Sequence, residues 1–269
     1  MKISPYSLIS WGRRANCWLG VFSAIILACL LSSSVACAGI AIGLTRVIVT
    51  GDDRSGSVQI LNKGTRPILL QLWIDNHISE MDKPIEKIKV PFVVDTPVFR
   101  LDPMTNKSIR IYYTGNINQL PSDRESMFWL NVLEVPAKTG LGQAQQNEVQ
   151  IAFRSRIKLF YRPAGIAASS LGVVDHLSFK WVSKGNRYVL QVTNPTPFNV
   201  TFQTLYIAEG KNTTKLAVRL NNDDMVGPKD SIDGVLVDYK VPTKNMIVYF
   251  SIIDDFGAPI EGHQVLELP

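Results

Sequence analysis

The hydrophobic and polar positions of this chain follow the two-residue period of β-strands over most of its length. The segment Ser57–Asn62 alternates, and turn-forming residues flank it at Gly51–Asp53 and Asn62–Gly64. The two longest β-rich runs are Met127–Val135 and Val149–Tyr161. No segment shows an apolar stripe of helical period and length. Short β-rich runs separated by turn residues predict an all-β chain built from β-sandwiches.

The pattern also predicts two domains. Pro163–Ile166 interrupts the strands, and the segment that follows is large enough, at about 100 residues, to bury a core of its own. We therefore predict domains at residues 39–163 and 164–269. The other predicted strands are Ile40–Val49, Ile68–Ile74, Phe92–Val94 and Ser108–Tyr113 in the first domain, and Leu177–Val182, Arg187–Thr193, Asn199–Ile207, Lys215–Leu220, Gly234–Lys240 and Met246–Ile253 in the second.

The first 38 residues have the order of a secretory signal. A basic start precedes the apolar run Cys17–Leu31, and small residues follow that end in the A-x-A site Ala36–Ala38. The apolar run is short for a bilayer span, which takes about 20 residues. We predict that residues 1–38 are a cleaved signal peptide. An uncleaved anchor and a lipoprotein modified at Cys37 are the alternatives.

Removal of this segment changes the charge and the cysteine content. All three cysteines would leave with it, so the mature chain would contain no disulfide. Lys2, Arg13 and Arg14 would also leave, and 25 of the 28 basic residues would remain against 23 acidic ones. This small excess gives no reason to expect nucleic acid as a partner. Beyond Gly39 no apolar run is long enough to span a membrane.

Catalysis has little support in the residues. His77, His176 and His263 lie in separate polar stretches without the spacing of metal ligands. No nucleophile, phosphate-binding or dinucleotide-binding motif is present. The acidic pairs Asp223–Asp224 and Asp254–Asp255 are typical of turns in an all-β chain. The sequence therefore predicts a binding protein without enzymatic activity, metal or cofactor.

The run Val149–Tyr161 allows two interpretations. Its odd-numbered positions are apolar apart from one serine, whereas its even-numbered positions include Arg154, Arg156 and Lys158. One interpretation is a half-buried strand whose apolar face joins the core. The other is an edge strand that pairs with another chain, which would cover an otherwise aggregation-prone edge. The pattern does not choose between them.

Two adjacent motifs resemble a known family. Leu120–Val132 reads LPSDRESMFWLNV, and Gln150–Pro163 reads QIAFRSRIKLFYRP. Both are similar to motifs of the PapD-like periplasmic pilus chaperones, which serve the chaperone–usher pathway of Gram-negative bacteria. The resemblance covers essentially the whole mature chain. Further matches are Thr45–Arg46, Thr96–Pro97 and Asn194–Phe198.

The resemblance implies a fold and a mechanism. The fold is two immunoglobulin-like sandwiches in a boomerang arrangement, and the location is the periplasm. A pilus (fimbrial) subunit lacks its final strand, and the chaperone supplies its own strand to the exposed groove, which is donor-strand complementation. The donated side chains correspond to Val149, Ile151 and Phe153. The capped subunit then passes to the outer-membrane usher.

The resemblance also assigns roles to charged residues. Arg46 and Lys158 correspond to the pair that anchors the C-terminal carboxylate of the subunit. Glu125, Arg162 and Asp255 correspond to ion pairs between the domains, with Asp254 as an alternative for the third position.

Three further expectations are less direct. Pro67, Thr96 and Pro97 match a surface patch that family members turn towards the usher. The loop Ala137–Gln146 is short and polar, as in the short-loop branch of the family (the F1–G1 loop). A second copy of the chain, bound in a self-capping homodimer, is a further candidate partner. An exported immunoglobulin-like adhesin or surface receptor is the alternative function.

Overall fold

The computed structural model describes residues 39–76, 84–116, 119–136, 151–167, 169–210, 213–238 and 241–268. The predicted signal peptide at residues 1–38 lies outside these ranges. The same holds for His77, for the loop Ala137–Gln146 and for Val149, so the expectations for them are not addressed by the structure. Within the described residues no helix has the length and apolar character of a membrane span.

Nine described strands form two facing sheets in the first half of the chain. One sheet has the order β1-β3-β7-β5, and the other has the order β2-β9-β8-β4-β6. A single turn of 3-10 helix, Ile85–Lys87, precedes β5. The strands are β1 (Ile40–Ile42), β2 (Arg46–Thr50), β3 (Ser55–Asn62), β4 (Ile68–Asp75), β5 (Phe92–Val94), β6 (Val98–Leu101), β7 (Asn106–Tyr113), β8 (Ser126–Pro136) and β9 (Phe153–Arg162).

The alternation seen in the sequence builds the first core. In β3, Val58 and Ile60 are buried, whereas Ser57 and Gln59 are exposed. Successive side chains of a strand point to opposite faces, so each sheet turns one apolar face towards the other. Each fully buried valine or isoleucine contributes about 1.5–3 kcal/mol through the removal of apolar surface from water. The sandwich is therefore held by hydrophobic burial between its two sheets.

The predicted strand Ile40–Val49 is two strands that belong to different sheets. β1 pairs antiparallel with β3, and β2 pairs parallel with β9. The chain bends at Gly43–Thr45 as it crosses from one sheet to the other. The prediction of one continuous strand was wrong because the β-branched composition is the same on both sides of the bend. The crossing brings Arg46 opposite Lys158.

The second half of the chain contains eight described strands. Their hydrogen-bonded order is β10-β11-β15-β13-β12-β16-β17, with β14 on β12. Leu190, Ile207 and Val248 are fully buried in a core separate from that of the first half. The strands are β10 (Ser178–Lys184), β11 (Arg187–Asn194), β12 (Val200–Ala208), β13 (Leu216–Leu220), β14 (Met225–Val226), β15 (Asp230–Leu236), β16 (Ile247–Ile253) and β17 (Pro259–Val265).

The described chain is all-β apart from two short 3-10 turns, as predicted. The sequence prediction missed β6, β14 and β17. β14 has two residues and β6 has four, which is too short to show a period, and every second residue of β17 is exposed, so its apolar signal is weak. β15 begins at Asp230, four residues before the predicted start at Gly234. Its first two residues are polar and exposed, which hid this end of the strand.

Candidate functional site

Strand β9 has one covered half and one open half. Its second half, Lys158–Arg162, lies between β2 and β8. Its first half, Phe153–Ile157, pairs with β8 alone, and no strand of the described chain lies along its other edge. The main-chain N–H and C=O groups of this edge point away from the sheet. Groups on an unpaired edge of this kind can pair with a strand from another molecule.

Two large apolar side chains are exposed at the start of the open half, one within β9 and one just before it. Ile151 is 59% exposed and Phe153 is 63% exposed. Both occupy odd-numbered positions, as does Leu159, which is fully buried in the first core. The side of β9 that faces the core thus continues past the core as an exposed apolar row. Such a row beside an unpaired edge offers both main-chain hydrogen bonds and side chains for pockets in a partner.

The open edge ends at two cations. β2 begins at Arg46, directly opposite Lys158, and it occupies the edge of β9 from that point onward. A foreign strand placed along Phe153–Ile157 would therefore meet the start of β2. The two cationic side chains stand at this junction. They lie on the outer face of the sheet, since Val47 and Leu159 next to them point into the core.

Arg46 is buried with part of its hydrogen-bonding capacity unused. Its Nη1 donates to the carbonyl oxygen of Ile253 at 2.9 Å, and its guanidinium carbon lies 5.8 Å from the centroid of the Phe160 ring. Its Nε is buried and has no hydrogen-bond partner among the described residues. Burial lowers the pKa of Arg46, against the raising effect of Asp255 and Glu125. A buried donor without an acceptor costs about 1–3 kcal/mol.

Lys158 is also buried, and its described partners are neutral. Its Nζ donates to Thr201 Oγ1 at 3.1 Å and to the carbonyl oxygen of Asp223 at 3.3 Å. Burial, together with the charge of Arg46, lowers the pKa of Lys158 to about 8. Among the described residues neither cation forms a salt bridge. Two adjacent buried cations without a paired carboxylate form a site for an anion.

A different arrangement surrounds Arg162, four residues further along β9. Its Nε donates to Glu125 Oε1 at 2.9 Å, and its Nη1 and Nη2 each donate to one carboxylate oxygen of Asp255 at 2.8 Å. Glu125 also accepts from the backbone and side-chain nitrogens of Asn199 at 2.8 and 3.2 Å. Ser170 donates its hydroxyl to Asp255 at 2.7 Å. This cluster is a closed ion-pair network that joins residues of both halves of the chain.

The pKa values of this network follow from burial and pairing. Burial raises the pKa of Glu125, although Arg162 and Asn199 act in the opposite direction. Burial alone would raise the pKa of Asp255 too, but the hydrogen bonds from Arg162 and Ser170 outweigh it and hold this pKa below its usual value. Asp254, the alternative for the third position, makes no such contact. Its carboxylate accepts from backbone N–H groups within its own turn.

Sequence reasoning missed a polar network on the outer face of the same sheet. Asp75 is fully buried and accepts from Asn131 at 2.8 Å, from Arg154 at 3.2 Å and from Arg156 at 2.6 Å. Asn131 Oδ1 accepts in turn from Arg154 Nε at 3.0 Å and from Arg156 Nε at 3.1 Å. Both arginines belong to the open half of β9. The network therefore holds the outer face of that half against β8 and β4.

Two tryptophans flank this network. The guanidinium of Arg154 lies 4.7 Å from the ring centroid of Trp73, and that of Arg156 lies 4.6 Å from the ring centroid of Trp129. Trp73 and Asp75 occupy alternate positions of β4, and the opposite face of this strand is buried. This alternation was the one feature of the sequence that could have indicated the network. Their partners lie 56 to 81 residues away, so only the strand order brings them together.

The three residues of the predicted usher-facing patch lie along one pair of strands at the sheet edge. Pro67 immediately precedes β4, and Thr96 and Pro97 precede β6, which pairs with β4. The carbonyl oxygen of Pro97 accepts from the N–H of Leu72 at 2.7 Å. Pro67 and Leu72 are five residues apart, which is about 17 Å at the rise of a β-strand. The structure thus places Pro67 and the Thr96–Pro97 pair at opposite ends of this strand pair.

The described residues contain no cluster of three or more His, Cys, Asp or Glu side chains that could hold a metal ion. The site built around β9 consists of an open strand edge, exposed apolar side chains and two cations. This arrangement can bind an extended chain and a carboxylate.

Comparison with known proteins gives family matches for both halves. Residues 39–167 match the model described as pili and flagellar-assembly chaperone, PapD N-terminal domain. Residues 173–264 match the model described as pili assembly chaperone PapD, C-terminal domain. Together the two models span almost all of the chain beyond the first 38 residues. They occur here in the same order as the two cores.

Individual relatives agree with these matches. The chain is 37% identical over 238 residues to the probable fimbrial chaperone YadV of Escherichia coli, covering 87% of this chain and 93% of that protein. It is 38% identical over 254 residues to the chaperone protein FimB/FhaD of Bordetella pertussis, covering 92% and 95%. The crystal structure of YadV superposes with a TM-score of 0.69 at 34% identity, covering 85% of this chain and 100% of that chain. These matches confirm the predicted pair of immunoglobulin-like sandwiches.

Proposed function

Because this chain belongs to the family of pili assembly chaperones, we propose that it captures pilus subunits on the open half of β9 and anchors their C-terminal carboxylate between Arg46 and Lys158. The observation that carries this proposal is the junction of an unpaired strand edge with two buried cations that form no salt bridge among the described residues. An exported adhesin or surface receptor, the alternative from the sequence, is not favoured by the family matches.

The direction of the captured strand follows from β2. β2 runs parallel to β9 and starts at Arg46. A subunit strand that runs in the same direction along the open edge would end there, with its C-terminal carboxylate next to Arg46 and Lys158. A strand of opposite direction would place its N-terminal ammonium beside two cations, which is unfavourable. The charges therefore favour parallel addition.

The carboxylate also fixes the register. It can accept from the unpaired Nε of Arg46 and from the Nζ of Lys158, and hydrogen bonds between charged groups are stronger and shorter than neutral ones. With the end fixed, alternate side chains of β9 meet defined pockets of the subunit. Ile151 and Phe153, with Val149 before them, would fill that groove. Each contributes about 1.5–3 kcal/mol if fully buried.

The network around Arg162 has a structural role in this proposal. It links β9 to Asn199 and Asp255 in the second half of the chain. Thr201 and Asp223, which supply the partners of Lys158, belong to that same half. We propose that the ion pairs fix the two domains, residues 39–163 and 164–269, so that both contribute to the anion site.

The remaining steps rest on the family and on the sequence. Cleavage after residue 38 would release the protein into the periplasm, where it would meet unfolded subunits. The edge around Thr96 and Pro97, with Pro67 at its far end, would face the outer-membrane usher. Self-association of the free chaperone through the same open edge would protect it from aggregation. No step requires a catalytic group.

The test is recovery of subunit from periplasm. The full chain is co-expressed with a tagged fimbrial subunit encoded beside it, as wild type and as the variants K158A and R46A. An exposed cation outside the site, Arg100, supplies the control variant R100A. We expect both site variants to reduce recovered complex at least tenfold, whereas R100A recovers the wild-type amount.

Folding is checked by the thermal midpoint of each purified variant, because Arg46 is buried and has a backbone partner. If K158A and R46A are folded and recover as much subunit as wild type, the carboxylate anchor is wrong. If the wild type itself recovers no subunit, the chaperone function is rejected.

A further inference from the structure

The turn between β16 and β17 presents an exposed aromatic side chain. Phe256 is 81% exposed, the highest value among the large apolar residues that the structure describes. A single exposed apolar residue needs no special explanation. What distinguishes Phe256 is how firmly its turn is held and what lies next to it.

Two hydrogen-bonded contacts attach this turn to the first half of the chain. The carbonyl oxygen of Ile253 accepts from Arg46 Nη1 at 2.9 Å. Two residues later, the carboxylate of Asp255 binds Arg162 through two hydrogen bonds of 2.8 Å. The segment just before Phe256 is thus fixed to the start of β2 and to the end of β9.

The segment just after Phe256 is also fixed. Gly257 has a φ of +89°, and a Cβ added there would lie 2.8 Å from Thr45 Oγ1, so the backbone packs closely against Thr45. Within the turn, Asp254 Oδ1 accepts from the N–H of Phe256 at 2.9 Å and from the N–H of Ala258 at 2.7 Å. With the backbone held on both sides, Phe256 is presented at the surface by a rigid turn.

The position of this turn decides which partner it fits. Gly257 touches Thr45, the residue before Arg46, and Leu44 before it is 38% exposed. A subunit strand that ends at Arg46 therefore brings the body of the subunit beside Leu44 and Phe256. Rigidly presented aromatic side chains lose little conformational entropy on binding and are enriched among the residues that dominate interfaces.

We propose that Phe256 is an apolar anchor for the captured pilus subunit, contributed by the second half of the chain. This inference rests on the proposed function. It extends the binding surface from the edge of β9 across the anion site to the β16–β17 turn. The subunit would then contact both halves of the chaperone, the first through the apolar row of β9 and the second through Phe256.

The experiment compares affinities for the subunit that the wild-type protein recovers from periplasm. Purified F256A competes with labelled wild-type chaperone for this subunit, beside F256W and the control M104A. Met104 is 75% exposed and lies in the turn between β6 and β7, away from the site. We expect F256A to bind about tenfold more weakly, whereas F256W and M104A bind as wild type. The thermal midpoint of F256A should equal that of wild type, because an exposed ring contributes little to folding.

The outcomes separate this inference from the proposed function. Wild-type affinity of F256A would overturn the Phe256 contact and leave the carboxylate anchor standing. Weak binding by F256A together with normal binding by K158A would support the contact and reject the anchor. If F256A abolishes only self-association of the free protein, measured by analytical ultracentrifugation, and keeps its affinity for the subunit, the partner of Phe256 is a second copy of the chain and the inference is wrong.

Discussion

Buried cations occur at two positions of β9 that are four residues apart, and the two positions differ in how the charges are met. Arg162 binds two carboxylates through hydrogen bonds of 2.8 and 2.9 Å. Among the described residues, Lys158 and its neighbour Arg46 form hydrogen bonds only to backbone carbonyl and hydroxyl oxygens. Burial of a charge is costly unless it is paired. Under the proposed function, the paired cation Arg162 has a structural role, whereas Arg46 and Lys158 bind the subunit.

The largest expected effect comes from breaking the paired group. E125A leaves the buried guanidinium of Arg162 with one carboxylate and leaves two donors of Asn199 without their acceptor. Breaking a buried ion pair by removal of one partner costs about 3–5 kcal/mol. We expect the free energy of unfolding, measured by urea denaturation, to fall by an amount in this range. A loss below 1 kcal/mol would mean that Arg162 is not held by this network.

Replacement of an unpaired cation should not lower the free energy of unfolding, in contrast to E125A. Burial lowers the pKa of Lys158 to about 8. The variant K158M replaces this charged side chain with an apolar one of similar length. Replacement of poorly compensated buried charge is often neutral or stabilising. We expect the free energy of unfolding at pH 7 to stay equal or to rise by about 1 kcal/mol, while the affinity for the subunit falls about tenfold. A loss of stability as large as that of E125A would remove the distinction between the two groups.

A smaller effect is expected from pH. The pKa of Lys158 in the folded protein is about 8, below its unfolded value, so the unfolded chain holds this proton more firmly between those two values. The cost of charging Lys158 is therefore fully present below pH 8 and is relieved as the pH rises above it. Affinity for a carboxylate should fall over the same range because the cation is lost. Affinities measured from pH 7 to 9.5 in wild type and K158M should show this fall in wild type alone.

Much of this architecture follows from local pattern, but the crossing of the first strand does not. Strands such as β3 alternate visibly because one face is buried against a facing sheet. The bend at Gly43–Thr45 is marked in the sequence only by Gly43, since β-branched residues occur on both sides of it. β17 was missed because its edge position leaves it polar and exposed. Pattern thus predicts strands with one buried face better than edges and crossings.

The candidate site also contains residues that the sequence indicated and contacts that only the structure shows. The resemblance located Arg46 and Lys158, but only the parallel pairing of β2 with β9 shows that they face one another. The network of Asp75 with Arg154 and Arg156 depends on strand order, which the pattern along the sequence does not show. Phe256 is one phenylalanine among eleven until the attachments of its turn are known. Contacts between residues far apart in sequence, rather than residue type, define these features.

The most direct test of the unpaired cations uses two forms of one peptide. A synthetic peptide with the last fifteen or so residues of the captured subunit, a length that spans the edge of β9 at about 3.3 Å per residue, is prepared with a free C-terminal carboxylate and with a C-terminal amide. Their affinities for the wild-type protein and for K158A are measured by calorimetry at pH 7. We expect the carboxylate form to bind wild type at least tenfold more tightly than the amide, and we expect K158A to lose this difference. Equal affinity of the two forms for wild type would contradict the carboxylate anchor.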